Sequence, residues 1–340
     1  MIFKNKTFLI TGGTGSFGSS TIKKLLQKKV KKIIIFSRDE KKQHDLRLQF
    51  KGNEKVIFFI GDVRDFDSLD QAFKNVDFVF HAAALKQVPT AEIFPLEALK
   101  TNALGADNVI KASIKNNIEK VVFLSTDKAV SPVNAMGMTK ALMEKIVLSH
   151  AMILQQNKSK LQLCITRYGN VLGSRGSLLT VFNNQIKNSN QITITNPSMT
   201  RFVMTMDEAI DLVFFAFRYG KNGDLFVRKA PAANVDTFLK SFLMFKNITK
   251  YPTKIIGSRY GEKQHESLLN SEEYNLSESK NNYFIRKLNK DQSKQSSFFE
   301  KGKNILSHSK DYNSFETKQC SPLELLKIFK LSNLDKSLDE

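Results

Sequence analysis

The run Thr11-Gly12-Gly13-Thr14-Gly15-Ser16-Phe17-Gly18 constrains this chain more than any other stretch. It follows the apolar segment Thr7-Phe8-Leu9-Ile10 and precedes Thr21-Ile22-Lys23-Lys24-Leu25-Leu26, which has helical spacing. A strand, a glycine-rich turn and a helix in direct succession is the setting in which such glycines hold a dinucleotide. Gly12 suits the tight turn, Gly15 the approach of the backbone to a pyrophosphate, and Gly18 the close packing of helix on strand. Thr14, Ser16 and Phe17 lie between them, at the start of a helix whose first amides face an anion.

The rest of the chain repeats the same unit. Short β-rich runs at 7–11, 32–37, 56–61, 78–82, 121–125 and 161–168 alternate with helical patterns at 17–29, 67–73, 95–116, 135–154 and 207–219. Alternation of this kind predicts an α/β fold, a Rossmann-like doubly wound parallel sheet covered on both faces. Ile33-Ile34-Ile35-Phe36 and Val121-Val122-Phe123-Leu124 are apolar throughout, as strands buried on both sides require. After about residue 170 the rhythm breaks. Residues 224–229 read as one more strand, 231 onward as a smaller C-terminal substrate-binding lobe, 272–309 as polar and loop-dominated, and 322–330 as a terminal amphipathic helix. The expected division is a dinucleotide-binding domain over 1–171, completed by about 201–229, with 172–200 and 230–340 forming the lobe.

Composition narrows the function classes. The net charge of +19 comes from lysines spread along the chain, without an aromatic-interleaved basic stripe. This favours encounter with anionic metabolites and gives no nucleic-acid motif. Cys164 and Cys320 form neither a disulfide framework nor a metal-ligand pattern, and the five histidines show no metal spacing, so no metal is expected. No apolar run is long enough for a membrane span and the N-terminus has no apolar signal core. The expectation is a cytoplasmic protein.

The second strand ends in Ser37-Arg38-Asp39-Glu40, where a dinucleotide fold meets the adenine ribose. An Arg there accommodates a 2′-phosphate, so Ser37 and Arg38 favour NADP over NAD. Pairing of Arg38 with Asp39 is the competing explanation. Asp62, followed by Val63, ends the third strand near the adenine, and the small Ala82, Ala83 and Ala84 end the fourth. Asn102 lies mid-helix, where Asn has poor propensity, which points to a hydrogen bond with a neighbouring strand at the cofactor wall.

Ser125-Thr126-Asp127-Lys128 follows the fifth strand, and Asn134-Ala135-Met136-Gly137-Met138-Thr139-Lys140 opens a helix. With the glycine loop, these segments resemble the extended short-chain dehydrogenase/reductase superfamily. That superfamily places a catalytic Tyr four residues before a Lys that lowers its pKa and holds the nicotinamide ribose. Here Met136 stands at the Tyr position and Lys140 is kept. Asp127-Lys128 resembles the catalytic pair of the UDP-N-acetylglucosamine 4,6-dehydratases that invert C5. Asn134-Ala135-Met136-Gly137 resembles their capsule-type subgroup, known for Met at this position. His81 to Pro89, Arg167-Tyr168-Gly169-Asn170-Val171, Gly173-Ser174-Arg175-Gly176-Ser177, Met199-Thr200-Arg201-Phe202 and Arg259-Tyr260-Gly261-Glu262-Lys263 extend the match. Tyr260 departs from the His usual there.

The resemblance implies a lyase with internal redox, acting on a UDP-N-acetylhexosamine in nucleotide-sugar synthesis for surface polysaccharide. Lys128 is then the C5 base, its pKa pushed down by burial and a neighbouring cationic nicotinamide. Asp127 is the acid toward the 6-hydroxyl, and Thr126 with Lys140 or a water handles the 4-hydroxyl. Ser125 and Lys140 adjoin the cofactor. Arg201 and Arg259, and less directly Arg175, offer guanidinium groups to the diphosphate. Lys86, Tyr168, Asn170, Ser177 and Glu262 complete the substrate contacts. Relatives assemble as homo-oligomers, often hexamers, so the same is expected by analogy. Two alternatives stay open: a UDP-sugar 4-epimerase, and a catalytically silent NADP-binding protein for which Met136 is the best evidence.

Overall fold

The computed structural model describes residues 2–288, 310–332, 334 and 338. Its nine-stranded sheet is built around β1 (Thr7–Thr11), β2 (Lys32–Ser37), β3 (Val56–Ile60), β4 (Phe78–His81), β5 (Lys120–Thr126) and β6 (Gln162–Tyr168), in the spatial order 3-2-1-4-5-6. All neighbours in this set are parallel. This is the doubly wound order, and its switch point falls between β1 and β4. Side chains alternate between two apolar layers, so Leu9, Val79, Val121 and Phe123 fill one face while Phe8, Phe78, Phe80 and Val122 fill the other. Both layers are buried, which explains why Phe8–Ile10, Phe78–Phe80 and Val121–Leu124 are apolar at successive positions.

Leu225–Arg228 adds to β6 in parallel, as expected. Beyond it the structure corrects the sequence reading of 272–309 as loop. Ser277–Lys280 and Tyr283–Arg286 form a hairpin that pairs antiparallel onto Leu225–Arg228 and extends the main sheet. The apolar run is only Tyr283-Phe284-Ile285 inside a polar stretch, too short to register as a strand, yet Phe284 and Ile285 are buried. Residues 289–309 of that expected loop lie outside the described residues. A third apolar cluster, including Leu179, Phe182, Phe238, Phe242, Leu325 and Phe329, forms the core of the smaller lobe.

Helix boundaries differ in two instructive places. The helix expected over 95–116 is divided into Pro95–Leu99, a π-helical turn at Lys100–Leu104, and Gly105–Lys115. The wider turn contains Asn102, whose amide reaches the chain leaving β4. π turns inside helices commonly accommodate such local demands. The helix α2 (Glu40–Gln49), following α1 (Ser16–Leu26), was not expected, because all of it but Leu46 and Leu48 is polar and it buries only Gln43 and Leu46. Among the described residues no helix is long and apolar enough to cross a membrane.

Candidate active site

A cavity of about 350 Å³ opens at the switch point, between the β1–α1 turn and the ends of β4, β5 and β6. Gly12 has φ 66°, and a Cβ there would lie 2.8 Å from the Ala83 backbone. The turn therefore needs glycine both for its conformation and for its approach to the Ala82–Ala84 strand end. A Cβ on Gly18 would meet Gly13 at 2.5 Å, so α1 packs directly on the turn. Gly15 is the N-cap of α1 and no side chain caps it. The first amides of an eleven-residue helix thus face the cavity without an internal partner, which fits the pyrophosphate of a dinucleotide.

The residues expected at the adenosine end are fixed by pairings at the tips of β2 and β3. Thr14 Oγ1 and Ser37 Oγ are 3.0 Å apart. Asp39 caps α2 by accepting from the Lys42 amide at 2.9 Å and pairs with the Lys42 ammonium. Arg38 is half-exposed, and its Nη1 lies 3.6 Å from Asp62 Oδ2. Asp62 is gripped more closely by Arg64. Burial raises the Asp62 carboxyl, but Arg64 outweighs this and holds it below the usual range. Val63 is buried against the apolar layer beside Gly105 rather than lining the cavity. Asn102 also lies outside it. Its amide group spans Leu85, accepting from the backbone N–H at 2.8 Å and donating to the carbonyl at 2.9 Å, and donates to Thr139. It thereby fixes the chain that carries Ala84 and Lys86.

The strip after β5 is held by three devices. Thr126 Oγ1 donates to Asp127 Oδ1 at 2.8 Å and accepts from the Lys128 amide. Asn134 caps the helix Ala135–Gln156 by accepting from the Gly137 amide. A Cβ on Gly137 would lie 2.3 Å from the Lys128 carbonyl, so only glycine lets the helix start settle on the strip. Met136 is buried against Ala91 and Ala98 while touching the cavity wall. Lys140, one turn on, is buried and donates to the Leu124 carbonyl at 2.6 Å. Burial pulls its ammonium down to about 8, with Glu144 only partly opposing this.

Lys128 differs from the sequence expectation. Its Nζ lies 3.0 Å from Asp127 Oδ1 and 3.4 Å from Glu266 Oε1. Burial lowers the amine, but the two carboxylates outweigh burial and raise it above the ordinary lysine value. The expected lowering rested on desolvation and a neighbouring cationic nicotinamide, without knowledge of Glu266, which lies just before the strand Ser267–Leu269. Asp127 Oδ2 and Asn170 Oδ1 are buried without a hydrogen-bond partner, and both residues line the cavity. Buried polar atoms of this kind call for a polar ligand. Tyr168 stacks on Phe17, with centroids 5.4 Å apart and planes 7° from parallel, and its phenol is raised by burial and by Asp127.

Ser125 lines the cavity by position, but its hydroxyl is committed outward, donating to Glu144 Oε1 at 2.5 Å. Glu144 in turn meets Arg167, which lies between it and Glu273. All five guanidinium N–H groups are used, on the two carboxylates and the Leu268 carbonyl.

The remaining expected contacts divide by distance. Lys86, Arg175 and Ser177 reach the cavity mouth, with Lys86 Nζ donating to the Arg175 carbonyl at 3.1 Å. Arg201 sits beside it in a small cleft with Asn170 and Ser177, its Nη1 donating to the Thr200 carbonyl. Arg259 and Glu262 lie in a loop outside the cavity, where the Arg259 amide donates to the Glu262 carboxylate. That loop touches the strip through Asn134, which donates to the Gly261 carbonyl. Sequence reasoning missed Glu266 and Glu273, which lie in polar runs, and Glu144, which lies in an apolar helix, because no local pattern shows that Lys128 and Arg167 pair with them. Among the described residues no cluster of His, Cys, Asp and Glu could hold a metal ion.

Residues 8–288 match the polysaccharide biosynthesis protein family. A protein of Rickettsia bellii (strain OSU 85-389) named UDP-glucose 4-epimerase is 47% identical over 338 residues, covering 98% of this chain and 97% of that protein. The crystal structure of Pen from Bacillus thuringiensis superposes with a TM-score of 0.88 at 34% identity, covering 98% of this chain and 99% of that one. DesIV from Streptomyces venezuelae, a dTDP-glucose 4,6-dehydratase solved with NAD and TYD, shares the fold at a TM-score of 0.69 and 17% identity, covering 76% of this chain and 86% of that one.

Proposed function

The chain belongs to the polysaccharide biosynthesis protein family, and from that premise we propose that it is a nucleotide-sugar-modifying enzyme, specifically an NADP-dependent UDP-N-acetylglucosamine 4,6-dehydratase that inverts C5. One observation carries the finer reading. The proton-handling groups at the end of β5 are an amine and a carboxylate in contact, Lys128 and Asp127, while the position of a phenol is filled by Met136. A 4-epimerase needs a group for the 4-hydroxyl and none for C5. A 4,6-dehydratase needs a base and an acid on adjacent carbons.

When bound, the nicotinamide supplies reversible hydride storage, taking a hydride from C4 and returning it to C6. Gly12, Gly15 and the α1 amides would hold the pyrophosphate, and Arg38 would meet a 2′-phosphate, since Asp39 is turned toward Lys42. Lys140, near neutrality at about 8, receives the 4-hydroxyl proton, with Thr126 orienting that hydroxyl. The resulting 4-ketone acidifies the C5 proton. Lys128 becomes a base by passing one proton to Asp127 across their 3.0 Å contact. The amine then takes the C5 proton, and the carboxylic acid protonates the departing 6-hydroxyl as water. Both groups return to their starting charges. Protonation of C5 by a water on the side away from Lys128, with the hydroxide so formed taking the proton that Lys140 received, gives the L-sugar. Arg201, in the cleft beside the cavity, serves the diphosphate, whereas Arg259 lies too far out in its loop to be given that role.

The name carried by the Rickettsia relative favours a second reading, epimerisation at C4 in the same cavity. Incubation with UDP-N-acetylglucosamine in D₂O separates the two. Water loss with deuterium at C5 is expected. A change at C4 alone establishes the epimerase, and absence of turnover removes both in favour of a cofactor-binding protein.

A further inference from the structure

Glu266 is 3% exposed and lies 138 residues beyond Lys128, yet its Oε1 sits 3.4 Å from Lys128 Nζ. Its Oε2 is buried without a partner. The backbone on which it rides is fixed with unusual care. The Glu266 amide donates to Ser314 Oγ at 2.9 Å, and the Ser314 amide donates to the Glu266 carbonyl at 2.8 Å. Ser314 is fully buried and also bonds Thr200, which in turn bonds His265. Upstream, Lys263 donates to the Val130 carbonyl, and Gly261 accepts from Asn134. One segment of the smaller lobe, 261–266, therefore grips the strip after β5 at Asn134, Val130 and Lys128. Glu266 does not border the cavity, so it does not reach substrate itself.

We infer that Glu266 is a positioning residue for Lys128, holding its amine against Asp127 from the side opposite the cavity and keeping it charged in the resting enzyme. Every charged group facing Lys128 is consistent with this. Asp127 from β5 and Glu266 from the lobe attract it, while Arg201 from the strand Thr200–Phe202 and Lys263 from the same segment as Glu266 oppose them. With Arg201 and Lys263 nearby, Asp127 alone faces two further cations, and Glu266 restores the balance. This role deepens the reading of Lys128 as the proton carrier.

The test compares the parent protein with Glu266→Gln and Glu266→Asp. Trace acetylation with acetic anhydride over a pH series, followed by peptide mass spectrometry, reports the ionisation midpoint of Lys128 without any substrate. In Glu266→Gln the midpoint falls by about one pH unit or more, the size expected for loss of one close opposite charge. Glu266→Asp keeps the charge at a greater distance and gives a midpoint between the two. The alkaline limb of kcat for deuterium incorporation at C5, where Lys128 loses the proton it must pass to Asp127, moves to lower pH in the same order, with KM changed less than kcat. An unmoved Lys128 midpoint in folded Glu266→Gln overturns the inference, as does an Asp variant identical to the Gln variant. Should Glu266→Gln fail to fold, the Asp midpoint decides, and a value equal to the parent's is refuting. If the midpoints move but the parent incorporates no deuterium, the dehydratase reading fails while the hold of Glu266 on Lys128 stands.

Discussion

Replacing Arg167 with Met removes the cation that joins β6, the helix Ala135–Gln156 and the helix Ser271–Asn275. The Arg167 side chain is 5% exposed, and its partners Glu144 and Glu273 are 7% and 19% exposed. Breaking a buried pair by deleting one partner costs about 3–5 kcal/mol, because the other charge is left buried. With a urea slope of about 3 kcal/mol per M, the midpoint falls by roughly 1 M or more. The pH dependence distinguishes this cause from lost packing. Burial raises the Glu273 carboxyl, but Arg167 and the Asn270 amide outweigh it and hold it below the usual range. In the parent this carboxylate contributes stability that is full above its unfolded pKa and is lost as pH falls through its folded value. Without Arg167 the burial influence wins and the sign reverses, so the variant loses stability as pH rises. The difference between the two proteins is therefore widest near neutral pH and narrows toward pH 5. Urea unfolding at both pH values measures it. The triple change Glu144→Gln, Arg167→Met, Glu273→Gln is expected to recover most of the loss. A loss below about 1 kcal/mol, or a gap that does not change with pH, would refute the reasoning.

Two further predictions concern the site. If Lys140 receives the 4-hydroxyl proton, kcat rises with pH around about 8, and Lys140→Met removes that limb with a loss of about 10²–10⁴-fold; a pH–rate profile in which the limb survives the substitution excludes the role. Because its folded value is lowered, Lys140 also makes stability rise with pH from about 8 up to the ordinary lysine value, which urea midpoints across that window read directly. Arg38→Ser is expected to weaken NADP⁺ by about 10–150-fold, the worth of a charged hydrogen bond of about 1.5–3 kcal/mol, while leaving NAD⁺ within twofold by calorimetry; equal losses for both cofactors contradict the assignment of the 2′-phosphate.

What could be read from the sequence follows from range. The β1–α1 turn was legible because its glycines and the strand and helix around them lie within twenty residues, and each glycine answers a local steric demand. The strip Ser125–Lys140 was legible for the same reason, since strand end, cap and helix start are contiguous. The state of Lys128 was not, because it depends on Glu266, which tertiary folding alone brings to it. The same holds for the Arg167 trio, whose members are spread over three elements. Ser125 shows a subtler failure. Its place at the strand end suggested a cavity-facing hydroxyl, but the strand's twofold alternation directs that side chain to Glu144. Asn102 was flagged by poor helix propensity, and the structure supplies the reason in its two hydrogen bonds with the Leu85 backbone.

The hairpin Ser277–Arg286 has a consequence for how the chain comes off the ribosome. The strand Leu225–Arg228 keeps an open edge until Tyr283–Arg286 lies beside it, and that partner is made only after most of the smaller lobe. An unpaired edge of this kind is a template for pairing between molecules. Nascent chains halted near residue 275, or products truncated there, should therefore clump through that exposed margin even though every segment contributing to the cavity's glycine turn has already emerged.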